Sequence, residues 1–161
     1  MAHTLTAVRL LLAGPVAMAF ARPESLHPSV LLVLLCGAIT TDYWDGRVAR
    51  MTETSSAGGQ LFDHSTDFVF VTTALTGAAV AGLVTPLLPA LIVIAFGQYV
   101  LDSYLLHRQK QLRMSVIGRW NGILYFVPLL VISVARLSLS SDATSFLTQT
   151  AGVLSYMLVA S

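Results

Sequence analysis

Four aspartates stand in two closely spaced pairs, Asp42 with Asp45 and Asp63 with Asp67. On a helix, residues three or four apart share a face. Asp42, Asp45, Gly46 and Ala49 then form one stripe. Gly59, Asp63 and Asp67 form a second, provided that their helix begins early. Two neighbouring helices so patterned would turn four carboxylates toward one another. Like charges that close force protonation or recruit a counter-ion, and a set of oxygen ligands favours hard cations such as Mg²⁺, Mn²⁺ or Ca²⁺. Two such ions a few ångströms apart can clamp a phosphoryl group and stabilise both its attacking and leaving oxygens. Small residues on the stripes would let a bulky ligand approach the backbone, and they also suit plain helix packing. One aspartate alone reads as a solvated carboxylate. Four at these spacings do not, and the alternating oxygen ligands and closing Glu of an EF-hand loop are missing.

The surroundings of these residues are apolar. Of 161 residues, 55% are apolar and 11% charged, against about 25% charged in soluble domains, so lipid is the expected solvent. A bilayer crossing takes about 20 apolar residues, and six segments approach that: Thr4–Ala21, Pro28–Val48, Leu61–Val84, Pro86–Leu106, Ser115–Val134 and Thr144–Ala160. The last is the most dilute, with Thr144, Ser145, Thr148, Gln149 and Thr150 at its start. The expectation is an all-α integral membrane protein, one domain over residues 1–161, with six transmembrane helices and no strand alternation or heptads. Charged groups within such segments are costly and read by default as functional. The aspartates fall at the end of the second span and the start of the third, hence at one face of the bundle.

Basic residues orient it. Arg47, Arg50, Arg108, Lys110, Arg113 and Arg119 flank the second-to-third and fourth-to-fifth connections, against Arg22 and Arg136 on the other side. The aspartates and both termini therefore face the cytoplasm. Leu10 to Ala21 resembles a signal peptide, but the nearly uncharged leading segment favours a retained first span. Cys36 is the sole cysteine, which excludes an intrachain disulfide. A net charge of +1 with scattered basic residues gives no indication of nucleic-acid binding.

The spacing also resembles a known family. Asp42, Asp45, Gly46, Ala49, Arg50, Gly59, Asp63 and Asp67 match all eight fixed positions of the CDP-alcohol phosphotransferase motif. With each position matched by chance about one time in fifteen, eight coincide somewhere in a chain of this size with probability on the order of 10⁻⁷. Six spans with the motif bridging the second and third are also the family's plan, and Leu5-Thr6 followed by Arg9 looks like its opening helix. The resemblance implies that Asp42, Asp45, Asp63 and Asp67 hold two divalent cations, Mg²⁺ or Mn²⁺, with Asp67 also the general base toward the acceptor hydroxyl. It implies that Gly46, Ala49 and Gly59 pack against the cytidine nucleotide and that Arg50 faces its diphosphate. The implied reaction belongs to phospholipid biosynthesis: a phosphatidyl group passes from CDP-diacylglycerol to an alcohol, CMP leaves, and the enzyme is a homodimer.

Two departures bear on the substrate. Members that transfer to glycerol phosphate often carry Lys after the last aspartate, where this chain has Phe68. Leu61-Phe62-Asp63-His64 resembles the aminoalcohol phosphotransferases, which are far longer. The short length favours the bacterial lipid synthases of the inner membrane, with glycerol 3-phosphate the first acceptor expected and inositol phosphate, an amino alcohol or another lipid behind it. His107, Arg108, Lys110, Arg113 and Arg119 could hold a phosphate on the acceptor by charged hydrogen bonds, Arg119 the best candidate among them, or could set topology and bind anionic headgroups. Asp102 is a simple partner for one of these arginines. Gly77, Ala78, Ala81 and Gly82 give the third span a small-residue face for contact within the chain or across a dimer. The rival from another class is a membrane cation transporter using the same aspartates. Transporter sites tend to lie near the midplane within repeated halves, and neither feature is present here.

Overall fold

The computed structural model describes residues 2–51, 57–105, 122–137 and 140–160, with the backbone alone at 2–5, 42–43, 45–51, 57–61, 63 and 102–105. Most of the described residues are helical, with no strand among them. α1 spans Ala2–Ala21, α2 Pro28–Met51, α3 Ala57–Val80, α4 Leu87–Leu105, α5 Phe126–Ala135 and α6 Ser141–Val159, and a 3-10 turn at Pro23–Ser25 joins α1 to α2. Among the described residues no helix is long and apolar enough to cross a membrane. Sequence explains part of this. α2 ends and α3 begins in polar residues, and α6 opens with Ser141, Asp142, Thr144 and Ser145.

Local chemistry sets the boundaries. α3 starts at Ala57, ahead of the expected Leu61, which brings Gly59 onto the same helix as Asp63 and Asp67. It stops at Val80 because Gly82 takes a φ of 71°, open to a residue without Cβ. Leu83 N–H then donates to Ala78 O (3.0 Å) and Gly82 N–H to Ala79 O (2.9 Å), which closes a Schellman cap. Gly82 is thus a helix stop rather than a packing residue. The tight turn expected at Thr85-Pro86 is present and anchored, for the Thr85 N–H donates to the buried Ser155 Oγ of α6 at 3.1 Å.

The expected fifth span begins in residues outside those described. Residues 122–124 are helical, Tyr125 is a turn, and α5 follows. Pro128 lacks an N–H and its ring crowds the carbonyl four residues back, which places the break there. α6 begins at Ser141, earlier than Thr144, since the Ser140 side chain accepts from the Ala143 N–H (3.4 Å) and Asp142 lies in the first turn. Both features favour a helix start. The hydroxyls of Thr148 and Thr150 donate to carbonyls one turn back, so the polar opening does not interrupt the helix.

The most extensive helix contact joins α1 to α3, around Val16, Phe20, Phe70, Ala74, Leu75 and Ala78. A Cβ added at Gly77 would collide with the Ala17 carbonyl oxygen, so the two backbones touch there, within the chain. At the far end of α1, Arg136 donates from Nη1 to Ala19 O (2.7 Å) and from Nη2 to Phe20 O (2.8 Å), its guanidinium 5.5 Å from the Phe20 ring centroid. A cation on the last carbonyls of a helix meets both unpaired acceptors and the negative end of its dipole.

Candidate active site

The aspartate end of the chain is built where the N-terminal half of α1, the C-terminal half of α2 and the N-terminal half of α3 meet. α1 packs on both α2 and α3. Asp42, Asp45, Gly46, Ala49 and Arg50 all lie on the unbroken helix α2, and Gly59, Asp63 and Asp67 on α3. Helical register then puts Asp42, Asp45, Gly46 and Ala49 on one face of α2, and Gly59, Asp63 and Asp67 on one face of α3. The side chains of Asp42, Asp45, Asp63 and Arg50 lie outside the described residues. Arg108, Arg113 and Arg119 do so entirely, with His107 and Lys110, as does the side chain of Asp102.

Asp67 is described, and it is half-buried with 24% of its side chain exposed. Its Oδ1 forms an ion pair with Nη1 of Arg9 on α1, and Nη2 of Arg9 makes a long 3.5 Å contact to Thr41 Oγ1 on α2. Thr41 in turn donates to the carbonyls of Gly37 (2.8 Å) and Ala38 (3.0 Å), leaving lone pairs to face the guanidinium. Arg9 is only 2% exposed, and Thr6, one turn earlier on the same face, is equally buried. Reading the sequence for basic residues at span ends assigned Arg9 no partner. The signal was available, because a charge in the interior of an apolar helix needs one.

Around Asp67 the neighbours are defined. Thr66 is buried and donates to Phe62 O at 2.9 Å. Phe68, the residue after the last aspartate, stacks on Phe96 of α4 with centroids 4.0 Å apart and planes 9° apart. It binds α4 to α3 directly beside the aspartate and brings no charge. His64 is half-buried, while Trp44, between Asp42 and Asp45, is exposed. Among the described residues no group of three or more His, Cys, Asp or Glu could hold a metal ion. Three of the four expected ligands lie outside that set.

The profile of the CDP-alcohol phosphatidyltransferases matches residues 1–160, essentially from end to end. The chain belongs to this family. It is therefore a transferase of phospholipid biosynthesis, of a family that uses CDP-linked alcohols as donors, takes alcohols as acceptors and generally depends on divalent metal. Comparison with curated proteins and with solved structures gives no match.

Proposed function

We propose that the protein transfers a phosphatidyl group from CDP-diacylglycerol to a small alcohol, with glycerol 3-phosphate the first candidate, and releases CMP. The observation that carries this reading is the placement of Asp67, a half-buried carboxylate fixed by a buried arginine at the end of the helices that bear the other three aspartates. Asp67 takes the proton of the acceptor hydroxyl. The freed oxygen forms a bond to the phosphorus that bears the diacylglycerol, and that phosphorus loses its bond to CMP, which departs with the electron pair. Gly46, Ala49 and Gly59 let the nucleotide approach the backbone, and Arg50 faces its diphosphate. Arg108, Arg113 and Arg119 are the proposed anchors for a phosphate on the acceptor.

Asp42, Asp45, Asp63 and Asp67 are the residues that would hold two Mg²⁺ or Mn²⁺ ions. Their oxygen-only donor set fits hard cations, and the chemistry such ions supply is neutralisation of charge on the diphosphate and the leaving CMP. The chain's own groups supply the rest, which is orientation and proton transfer.

The proposed setting is a homodimer in the membrane, active site toward the cytoplasm. Exposed apolar side chains support the membrane: Leu11 is 77% exposed, Val80 75%, Val33 69% and Phe146 68%. Exposed apolar side chains on four helices suit a lipid surround better than water. Helices of 19–24 residues are about 29–36 Å long at 1.5 Å per residue, close to the hydrocarbon thickness. The test of function is incubation of the purified protein with CDP-diacylglycerol, Mn²⁺ and a panel of alcohols, followed by lipid mass analysis. A new phospholipid mass with equimolar CMP supports the reading and names the acceptor. No CMP with any alcohol would overturn it.

A further inference from the structure

Arg9 sits in a run from Ala7 to Ala21 whose other members are all apolar, and it is almost wholly buried. A guanidinium in that position is unfavourable unless paired and hydrogen-bonded. It meets Asp67 of α3 through Nη1 and Thr41 of α2 through Nη2. Three helices are tied by one planar fork.

We infer that Arg9 is a positioning residue for Asp67, fixing the plane of its carboxylate at the reaction site and offsetting part of the negative charge gathered there. The inference rests on the role proposed above for Asp67. A carboxylate on a helix turns about its χ angles, and a proton acceptor works only within hydrogen-bond reach and along the right line to the hydroxyl. Displacement of about 1 Å can cost on the order of 10²-fold in rate. The rigid guanidinium holds Oδ1 in a fixed direction, which sets where the carboxylate's second oxygen points. Lys could keep the charge but not the fork. The charge has its own consequence, because a positive group beside Asp67 opposes cations that bind to the same carboxylates.

The experiment compares the full chain in detergent with Arg9→Gln, Arg9→Lys, Asp67→Asn and the double variant Arg9→Gln/Asp67→Asn. Readouts are kcat, the KM for CDP-diacylglycerol, and the affinity for Mn²⁺ alone, followed by the free-ion electron resonance signal. Arg9→Gln should lower kcat by about 10²-fold with donor KM little changed, and should bind Mn²⁺ more tightly. Arg9→Lys should recover about tenfold of the lost rate and return Mn²⁺ affinity toward that of the parent. In the Asp67→Asn background Arg9→Gln should add less than about threefold, as residues acting through one group are non-additive. Parental kcat in Arg9→Gln, or an equal loss in both backgrounds, would overturn the inference. So would weakened Mn²⁺ binding that Lys does not restore, which marks a purely structural role. Should Arg9→Gln not fold, Arg9→Lys decides: kcat reduced about tenfold from the parent supports positioning, and parental kcat refutes it. An impaired Asp67→Asn beside a fully active Arg9→Gln removes the Arg9 role alone. A fully active Asp67→Asn removes the base assignment, and the inference with it.

Discussion

Gly77 of α3 lies against the backbone of Ala17 in α1 so closely that a methyl group there would collide with the Ala17 carbonyl oxygen. Nearer the start of the same two helices, Arg9 pairs with Asp67. Both contacts advance in the same direction along the chain, so α1 and α3 run in parallel. From Arg9 to Ala17 is about 12 Å of helix and from Asp67 to Gly77 about 15 Å at 1.5 Å per residue. The close approach at Gly77 therefore helps to set the separation across which the ion pair forms.

Gly77→Ala should accordingly destabilise the protein by about 1–3 kcal/mol, the usual cost of overpacking, and should also lower turnover by moving Arg9 away from Asp67. Gly14→Ala is the control, since a Cβ there meets nothing within 4 Å and alanine is the better helix former. Thermal unfolding in detergent, read beside turnover, checks both. Equal stability of the two variants would show that α1 and α3 can part without cost.

Arg136 acts at the opposite end of α1, on the carbonyls of Ala19 and Phe20. Arg136→Met keeps much of the side-chain length and removes the two charged hydrogen bonds. It should reduce stability by roughly 1.5–3 kcal/mol while kcat per folded molecule stays at the parental value. A selective fall in kcat with unchanged unfolding would mean that this end of the bundle communicates with the site.

Much of this was legible in the sequence, and the failures have physical causes. Helical starts at Pro28 and near Leu87 followed from apolar runs bounded by Pro and polar turns. Their ends were harder, because a stop such as Gly82 depends on a backbone angle, and the same glycine fits a packing stripe equally well. Sequence alone puts the α6 start late, at Thr144, because its threonines look like diluting polar residues. In fact the hydroxyls of Thr148 and Thr150 bond back to the helix and the Ser140 cap precedes them. The aspartate pattern, local in sequence, was readable from spacing alone. Arg9 and Asp67 are 58 positions apart, and only packing of α1 on α3 brings them together.

The membrane reading makes a prediction at Cys36, which is exposed on α2 and lies about 12 Å of helix from Pro28. An exposed thiol facing lipid should resist charged, water-soluble maleimides in intact membranes and react with a membrane-permeant one. A cysteine introduced at the exposed Ser140 should react with the water-soluble reagent, from the side opposite the aspartates. Rapid labelling of Cys36 by the charged reagent in folded protein would contradict a lipid-facing α2.

The aspartates themselves divide into two expected behaviours. In the proposed two-cation arrangement, chelation with EDTA should abolish transfer and Mg²⁺ or Mn²⁺ should restore it, because four carboxylates brought together are forced to protonate unless cations balance their charge. Full activity in EDTA would remove the two-cation arrangement. In the proposed arrangement Asp42→Asn should weaken donor binding, since the diphosphate would be held through the cations that Asp42 would help to bind. Asp67→Asn keeps the size and one carbonyl oxygen but cannot take a proton. It should lower turnover by about 10²–10⁴-fold, the usual contribution of a general base, with donor affinity largely retained. Calorimetric titration of CDP-diacylglycerol into each variant, set beside its turnover, separates binding from proton transfer. Parental turnover in Asp67→Asn would mean that another group or water accepts the proton, and matched losses of affinity in both variants would make Asp67 a cation ligand and nothing more.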